Sequence, residues 1–285
     1  MRNNILGKKK MTDILIGIPT VFGTNKVDIL LQSIKKRELD FLSNYNVEIA
    51  ICDDSGNNGN NEKTKSLTNE WQDQLADHYI PIKLLTNETN VGIATSWNKL
   101  VQSSNSKYVI LLNDDIVVAK GSIKTLIYFL ENNDIGAAGF ELIDIKEEEM
   151  VKALNIEFLD NSPYRSVTSP TWGAFFGFSR YKYDLTGGFD QNYFAYCEET
   201  DFVTSLAQKG YPSYMLKCPK SWHVHSATLK KNPNWGNILN QSIEYFKSKW
   251  GEEQWKNFYV PTKILRYICD NNVYEYEDRC EKTFC

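Results

Sequence analysis

Between residues 13 and 144 the chain alternates short apolar runs with longer segments whose apolar residues recur every three or four positions. This alternation limits the fold more than any other property of the sequence. The runs are Ile14-Leu-Ile-Gly-Ile18, Val47-Glu-Ile-Ala-Ile-Cys52, Ile82 to Leu85, Val109 to Leu112 and Gly136 to Ile143. Between them, Lys26 to Tyr45 carries Val27, Leu30, Leu31, Ile34 and Leu42 at helical spacing. Glu62 to His78, Gly92 to Ser103 and Ser122 to Asn132 also read as helices. Strand and helix in this order predict βαβ units and a parallel sheet. Right-handed crossovers then bring the carboxyl ends of all such strands to one edge. The run Tyr108-Val-Ile-Leu-Leu112 has no polar interruption, as expected of a strand covered on both faces, and it ends in Asn113-Asp114-Asp115.

The second half is less regular. Lys146 to Met150 is a charged connection, strand-like pieces lie near Asn155-Leu159 and Thr171-Phe178, and Gly187-Gly188-Phe189 is a turn. Glu198 to Lys209 is an amphipathic helix with Phe202, Leu206 and Ala207 on one face. Tyr214 to Lys217 is a short strand, and Asn237 to Trp250 a last helix. No repeat and no long linker divides the chain. We expect one domain over 12–235, its halves being 12–115 and 116–235, with a helical extension over 236–285. That extension is expected to cover the sheet or to make a dimer contact.

Composition narrows the function. With 42% apolar and 24% charged residues the chain can bury a sizeable core. A net charge of −4 argues against nucleic acid as a partner, which would call for a basic excess. No run of eighteen apolar residues exists to span a membrane, and Met1 to Lys10 is basic without the apolar segment of a signal peptide, so it reads as a disordered leader. The expected location is cytoplasmic, with attachment to a membrane surface as the alternative. The six cysteines show no metal-finger spacing, and free thiols are the default. Cys269, Cys280 and Cys285 form the one cluster that a tail disulfide or a weak metal site could use. Asn87-Glu-Thr and Asn240-Gln-Ser match the glycosylation triplet, but without an export signal they carry little weight.

The chemistry-bearing residues fall in a few polar clusters: Pro19-Thr20, Asp53-Asp54, Asp114-Asp115, Glu198-Glu199-Thr-Asp201 and Trp222-His-Val-His225. Carboxylates at strand mouths can hold a divalent cation, and a hard cation on few carboxylates usually also holds a phosphate. Each cluster also has an ordinary explanation. Asp53-Asp54 before Ser-Gly fits a plain turn, Glu198-Glu199 fits the favourable acids of a first helical turn, and a lone pair of histidines is commonly structural.

The ordered set resembles a family. Ile18-Pro-Thr20, Cys52-Asp-Asp-Ser-Gly56, Asn90-Val-Gly-Ile-Ala-Thr-Ser-Trp-Asn98, Leu111-Leu-Asn-Asp-Asp115, Trp172-Gly-Ala-Phe-Phe-Gly-Phe-Ser-Arg180, Gly187-Gly-Phe-Asp190, Glu198-Glu-Thr-Asp-Phe202 and His223-Val-His-Ser-Ala-Thr228 stand in the order of the family 2 glycosyltransferases. Their fold is the α/β arrangement called GT-A, Rossmann-like, with a mostly parallel central sheet flanked by helices. The resemblance runs from about Ile14 to Thr228 and implies an inverting, metal-dependent enzyme that moves a hexosyl or deoxyhexosyl group from a UDP-, GDP- or dTDP-sugar to a glycan, lipid-linked glycan or protein. Carried onto this chain, it implies that Pro19, Thr20, Asp53, Asp54, Asn90, Gly92, Asn98, Asn113 and Asp114 bind the nucleotide. Asp115, with His223 and His225 as the histidine candidates, would hold Mn2+ or Mg2+. Glu199 matches the general base, supported by Glu198 and Asp201. Trp172, Gly173, Tyr196 and Trp222 would face the acceptor. Two departures stand out: Asn113 replaces the first acid of the metal motif, and Trp97 stands where relatives carry Arg.

The chemistry agrees with that assignment. An acceptor hydroxyl is a poor nucleophile until a carboxylate takes its proton, and a leaving diphosphate develops charge that a cation can neutralise. Two other readings compete with that assignment. A nucleotidyltransferase needs a Gly-rich basic loop after the first strand, and Thr20-Val-Phe-Gly-Thr-Asn-Lys26 is a poor one. A non-catalytic sugar-binding or nucleotide-binding derivative predicts loss of the acids, yet Asp115 and Glu199 are both present.

Overall fold

The computed structural model describes residues 13–21, 24–56, 61–156, 166–167, 173–216, 219–224, 233–256, 266–269 and 272–275. The leader, Trp172, His225, Cys218, Cys280 and Cys285 lie outside them. In chain order the elements are β1 (Asp13–Thr20), α1 (Thr24–Leu42), β2 (Asn46–Asp53), α2 (Asn61–Leu75), β3 (Ile82–Thr86), α3 (Ile93–Gln102) and β4 (Tyr108–Leu112). Next come β5 (Ile116–Val117), α4 (Ser122–Asn132), β6 (Ala138–Phe140), β7 (Ile143–Asp144), α5 (Met150–Ala153) and β8 (Ser166–Val167). The remainder are β9 (Phe175–Ser179), α6 (Arg180–Thr186), α7 (Glu198–Gln208), β10 (Tyr214–Leu216), β11 (Trp222–His223), α8 (Trp235–Trp250), α9 (Glu252–Lys256), β12 (Arg266–Cys269) and β13 (Asn272–Glu275).

The main sheet has the order β3-β2-β1-β4-β9-β6-β10-β8. Strands β3, β2, β1 and β4 pair in parallel, as the alternation predicts. Alternate residues of each strand feed opposite layers: Ile14, Ile16 and Ile18 join one core cluster, Leu15, Ala50, Cys52 and Leu111 the other. This two-sided burial explains the uninterrupted apolar runs.

Beyond β4 the sheet departs from the expected parallel pattern. The crossover through α4 leaves a gap beside β4, and β9 fills it running antiparallel to both β4 and β6. The expected single strand Gly136–Ile143 is divided, because β6 stays in this sheet while β7 joins β11 and β5 in a second, three-stranded one. The extension over 236–285 is not wholly helical: β12 and β13 pair antiparallel after α8 and α9. The apolar face of α8, with Phe246 fully buried, joins the second core cluster.

Two polar groups of α1, the half-buried Arg37 and the buried Glu38, tie the layers together. The Arg37 guanidinium donates to the carbonyls of Val118, Ala153, Leu154 and Ile156 and lies 5.2 Å from the centre of the Trp222 ring. Glu38, 1% exposed, accepts the Lys124 N–H at the start of α4, where first-turn N–H groups lack intrahelical partners. Burial pushes its carboxyl up to about 8, against the lowering effect of the backbone donors of Lys124, Gly121, Ile123 and Ser122. Between about pH 4.5 and 8 the folded chain therefore keeps a proton that the unfolded chain has lost. Stability from this group is present below that window and falls as pH rises through it, by up to about 1.4 kcal/mol per pH unit. Glu38→Gln is expected to flatten that slope. Urea unfolding from pH 5 to 8 measures it, and an unchanged slope would assign the dependence to other groups.

Candidate functional site

The carboxyl ends of β1, β2 and β4 are tied together by short polar contacts. The Asp54 N–H donates to the Thr20 carbonyl and the Asn87 N–H to the Asp53 carbonyl, extending the strand pairing into the loops. The Thr20 hydroxyl donates to Asp114 Oδ2 at 2.6 Å, with both residues buried. Burial, and then the neighbouring Asp115, push the Asp114 carboxyl up to about 7. Pro19 is buried beside Cys52 in the β1–β2 register.

The adjacent acids Asp53 and Asp54 have different surroundings. Asp53 Oδ1 accepts the Ser55 N–H and hydroxyl, while its buried Oδ2 has no hydrogen-bond partner. Asp54 accepts Asn87 Nδ2 at 2.8 Å and the Val91 and Gly92 N–H groups at 2.9 and 3.0 Å. It organises the loop before α3, and burial raises its pKa against those donors. Asn87, first residue of one glycosylation triplet, is thereby buried. Asn90 is exposed and accepts the Gly92 N–H on the same loop.

Gly92 has φ +88 and ψ 167, a region open essentially to glycine, and a Cβ there would stand 2.4 Å from the Phe194 carbonyl oxygen. Gly92→Ala is expected to cost about 3 kcal/mol or more, since backbone strain and overlap act together. A denaturant midpoint equal to the parent's would show that the loop is not held this way.

The other end of the site is built by β11. It pairs antiparallel with β5, placing His223 opposite Ile116, and the Val224 N–H donates to the Asp115 carbonyl. This brings His223 Nε2 to 3.3 Å from Asp115 Oδ1, which is buried and accepts no hydrogen bond. Asn113 Oδ1 is likewise buried without a partner. Among the described residues no group of three or more His, Cys, Asp or Glu side chains is placed to hold a metal ion. An ion at Asp115 and His223 would therefore draw further ligands from substrate and water. Mg2+ and Mn2+ suit such an oxygen-rich set with few protein ligands.

Glu199 lies in the first turn of α7. The residues before it, Tyr196 and Cys197, have φ of +68 and +66, two of the three non-glycine residues in the left-handed region among those described. Such conformations cost ~1–3 kcal/mol each and persist only where the surroundings over-determine them. Burial raises the Glu199 pKa, while N–H donors of Glu199, Thr200 and Gly173 oppose the shift. A Cβ at Gly173 would stand 3.2 Å from Glu199 Cδ and 3.0 Å from the Trp97 ring, so the bare backbone there lets the carboxylate approach. The next residue joins this contact to the metal motif, since the Ala174 carbonyl accepts the Asn113 N–H at 2.9 Å. Glu198 is 7% exposed, its Oε2 without a partner, and burial followed by Glu199 raises its pKa well above the usual range.

Three of the expected assignments do not fit these surroundings. Asn98 is buried with its amide committed to the Phe189 carbonyl and N–H, at 2.7 and 2.9 Å, and to the Tyr183 hydroxyl. It fastens the Gly-Gly-Phe turn to α3, with its amide oxygen accepting twice and its nitrogen donating within the protein rather than towards a nucleotide. Trp222 is 4% exposed, packed with Val117, Met150 and Val224 beneath the Arg37 guanidinium, so it cannot line an acceptor groove. The Asp201 carboxylate turns to α8, accepting Trp250 Nε1 at 2.6 Å, Lys249 Nζ at 2.9 Å and the Tyr193 hydroxyl at 3.1 Å, rather than supporting Glu199. The helix is not capped by an acid side chain, because its N-cap position is Cys197. Trp97, at the position where relatives carry Arg, is buried against Phe176 and Phe189. The parts played by Asn87, Lys249 and Trp250 carry no local signal, because they depend on distant partners.

Residues 16–194 match the sequence model of the family described as glycosyl transferase family 2. In structure the chain is similar to mannosyltransferase PcManGT from Pyrobaculum calidifontis, solved with GDP-Man and Mn2+, at TM-score 0.60 and 14% identity over 87% of this chain and 65% of that one. It is similar to GalNAc-T7, solved with UDP, GalNAc and Mn2+, at TM-score 0.59 and 15% identity over 85% of this chain and 51% of that one. For TarS of S. aureus (1-349) the values are 0.53 and 11%, over 86% and 74%. No curated protein sequence matches significantly. At these identities the structural likeness shows a shared fold. The chain spans less than two thirds of PcManGT and about half of GalNAc-T7.

Proposed function

The chain belongs to glycosyl transferase family 2, and from that membership we propose that it transfers a sugar from a nucleoside-diphosphate sugar to an acceptor hydroxyl, with inversion and with a divalent cation. The observation that carries this reading is the Gly173-Ala174 backbone, whose N–H meets the Glu199 carboxylate and whose carbonyl takes the Asn113 N–H. A base and an Asn-Asp-Asp motif thus border one short stretch of chain.

Asp53 Oδ2, a buried acceptor without a donor, suits a base-ring N–H of the nucleotide. Thr20 and Asp114 face the ribose side, and Asp115 with His223 would hold Mn2+ or Mg2+. When bound, such an ion neutralises charge developing on the leaving diphosphate. The acceptor oxygen attacks the anomeric carbon as its proton passes to Glu199, and the bond to the phosphate oxygen breaks with its electron pair leaving on the diphosphate. Attack opposite the leaving group inverts that carbon through an oxocarbenium-like state. Burial, by raising the Glu199 pKa, makes it a stronger proton acceptor. Gly173, beside Glu199, and Tyr196 are the acceptor-side candidates among the described residues, and Trp172 lies outside them.

The test is turnover of UDP-, GDP- and dTDP-sugars with and without Mn2+. Metal-stimulated release of one nucleoside diphosphate is expected. Neither binding nor turnover of any of these donors would overturn the reading.

A further inference from the structure

The turn that presents Glu199 is held from outside the matched region. The family match ends at residue 194, and α8 begins at Trp235. Yet α8 supplies a bond on each side of the left-handed pair Tyr196-Cys197. On the near side, the buried Ser242 hydroxyl donates to the Ala195 carbonyl at 2.7 Å. On the far side, Trp250 Nε1 and Lys249 Nζ donate to Asp201, in the first turn of α7. Lys249 Nζ also reaches Asp190 Oδ2 at 2.7 Å, closing a bridge between the two ends of the segment 190–201. The Tyr245 hydroxyl donates to the same Asp190 oxygen. A strained turn keeps its shape only while such contacts outweigh the strain.

We infer that Ser242 and Lys249 of α8 are positioning residues, which hold the Tyr196-Cys197 turn and through it set the place of the Glu199 carboxylate. The inference rests on Glu199 acting as proposed above. It makes α8 part of the catalytic unit. The hydroxyl of the second glycosylation triplet, Asn240-Gln-Ser242, is engaged in this contact.

The test compares the full-length parent with Ser242→Ala, Lys249→Met and Lys249→Arg. Loosening the turn misplaces a reacting group, so Ser242→Ala and Lys249→Met are expected to lower kcat roughly 10–100-fold. KM for the donor and calorimetric affinity for the nucleoside diphosphate with Mn2+ should stay at the parent's values, because the donor end of the site is untouched. Lys249→Arg, keeping the cation, should restore most of kcat. Amide hydrogen exchange over residues 193–199 should quicken in Ser242→Ala while the core strands stay protected. Parent-like kcat in folded Ser242→Ala and Lys249→Met would overturn the inference, and so would unchanged exchange in that segment. The exchange measurement does not depend on turnover. A parent that turns over no donor refutes the proposed function, while the exchange still decides whether α8 holds the turn.

Discussion

Glu199→Gln is expected to bind nucleoside diphosphate and Mn2+ as the parent does and to lose turnover by roughly 10²–10⁴-fold, the range that a positioned general base supplies. The substitution keeps the side-chain length and an acceptor oxygen for the Gly173 N–H, so the turn before α7 has no reason to move. What it removes is the carboxylate that takes the acceptor proton. The expected pattern is a fall in kcat with donor affinity preserved, measured by release of nucleoside diphosphate and by calorimetry. A fully active Glu199→Gln enzyme would exclude this residue as the base. Glu198, one residue earlier and more deeply buried, would then be the carboxylate to test.

Asp115→Ala should act at the opposite step. Removing the carboxylate strips a ligand from a site where only Asp115 and His223 meet among the described residues. Loss of an outer-shell partner alone weakens metal sites by roughly 10–100-fold, and loss of the ligand itself is expected to exceed that range. Donor binding in Mn2+ should fall to the level seen with chelator, while the β5–β11 pairing, made by backbone, survives. Manganese titration followed by nucleotide titration separates the two effects. Metal-stimulated donor binding that persists in Asp115→Ala would place the ion elsewhere.

The places of these two residues in the fold were legible in the sequence because they sit at the ends of elements that local pattern identifies. An apolar run ending in acids predicts a strand mouth, and paired acids before an amphipathic segment predict a helix start. Several neighbouring assignments were not legible. Asp53 and Asp54 are adjacent and chemically alike, yet one keeps an unpartnered oxygen and the other is saturated by the loop before α3. Asn98 stands in the same motif as Gly92, but its amide closes on Phe189, 91 residues later. Trp222 lies next to His223, and strand alternation sends it into the core beneath Arg37.

Periodicity and turn chemistry are local, so the strands and helices of the first half, the shared edge of their carboxyl ends and the acids on it could be read from the residues alone. Which polar side chains hold the scaffold and which keep an unpartnered atom emerges from the folded contacts. That choice depends on hydrogen-bond partners brought together by folding. Folding also decided that β9 runs antiparallel through the sheet, that β11 delivers His223 to Asp115, and that α8 secures the strained turn before Glu199. Each is a contact between segments far apart in the chain, and a buried donor or acceptor takes whichever partner the fold brings within reach.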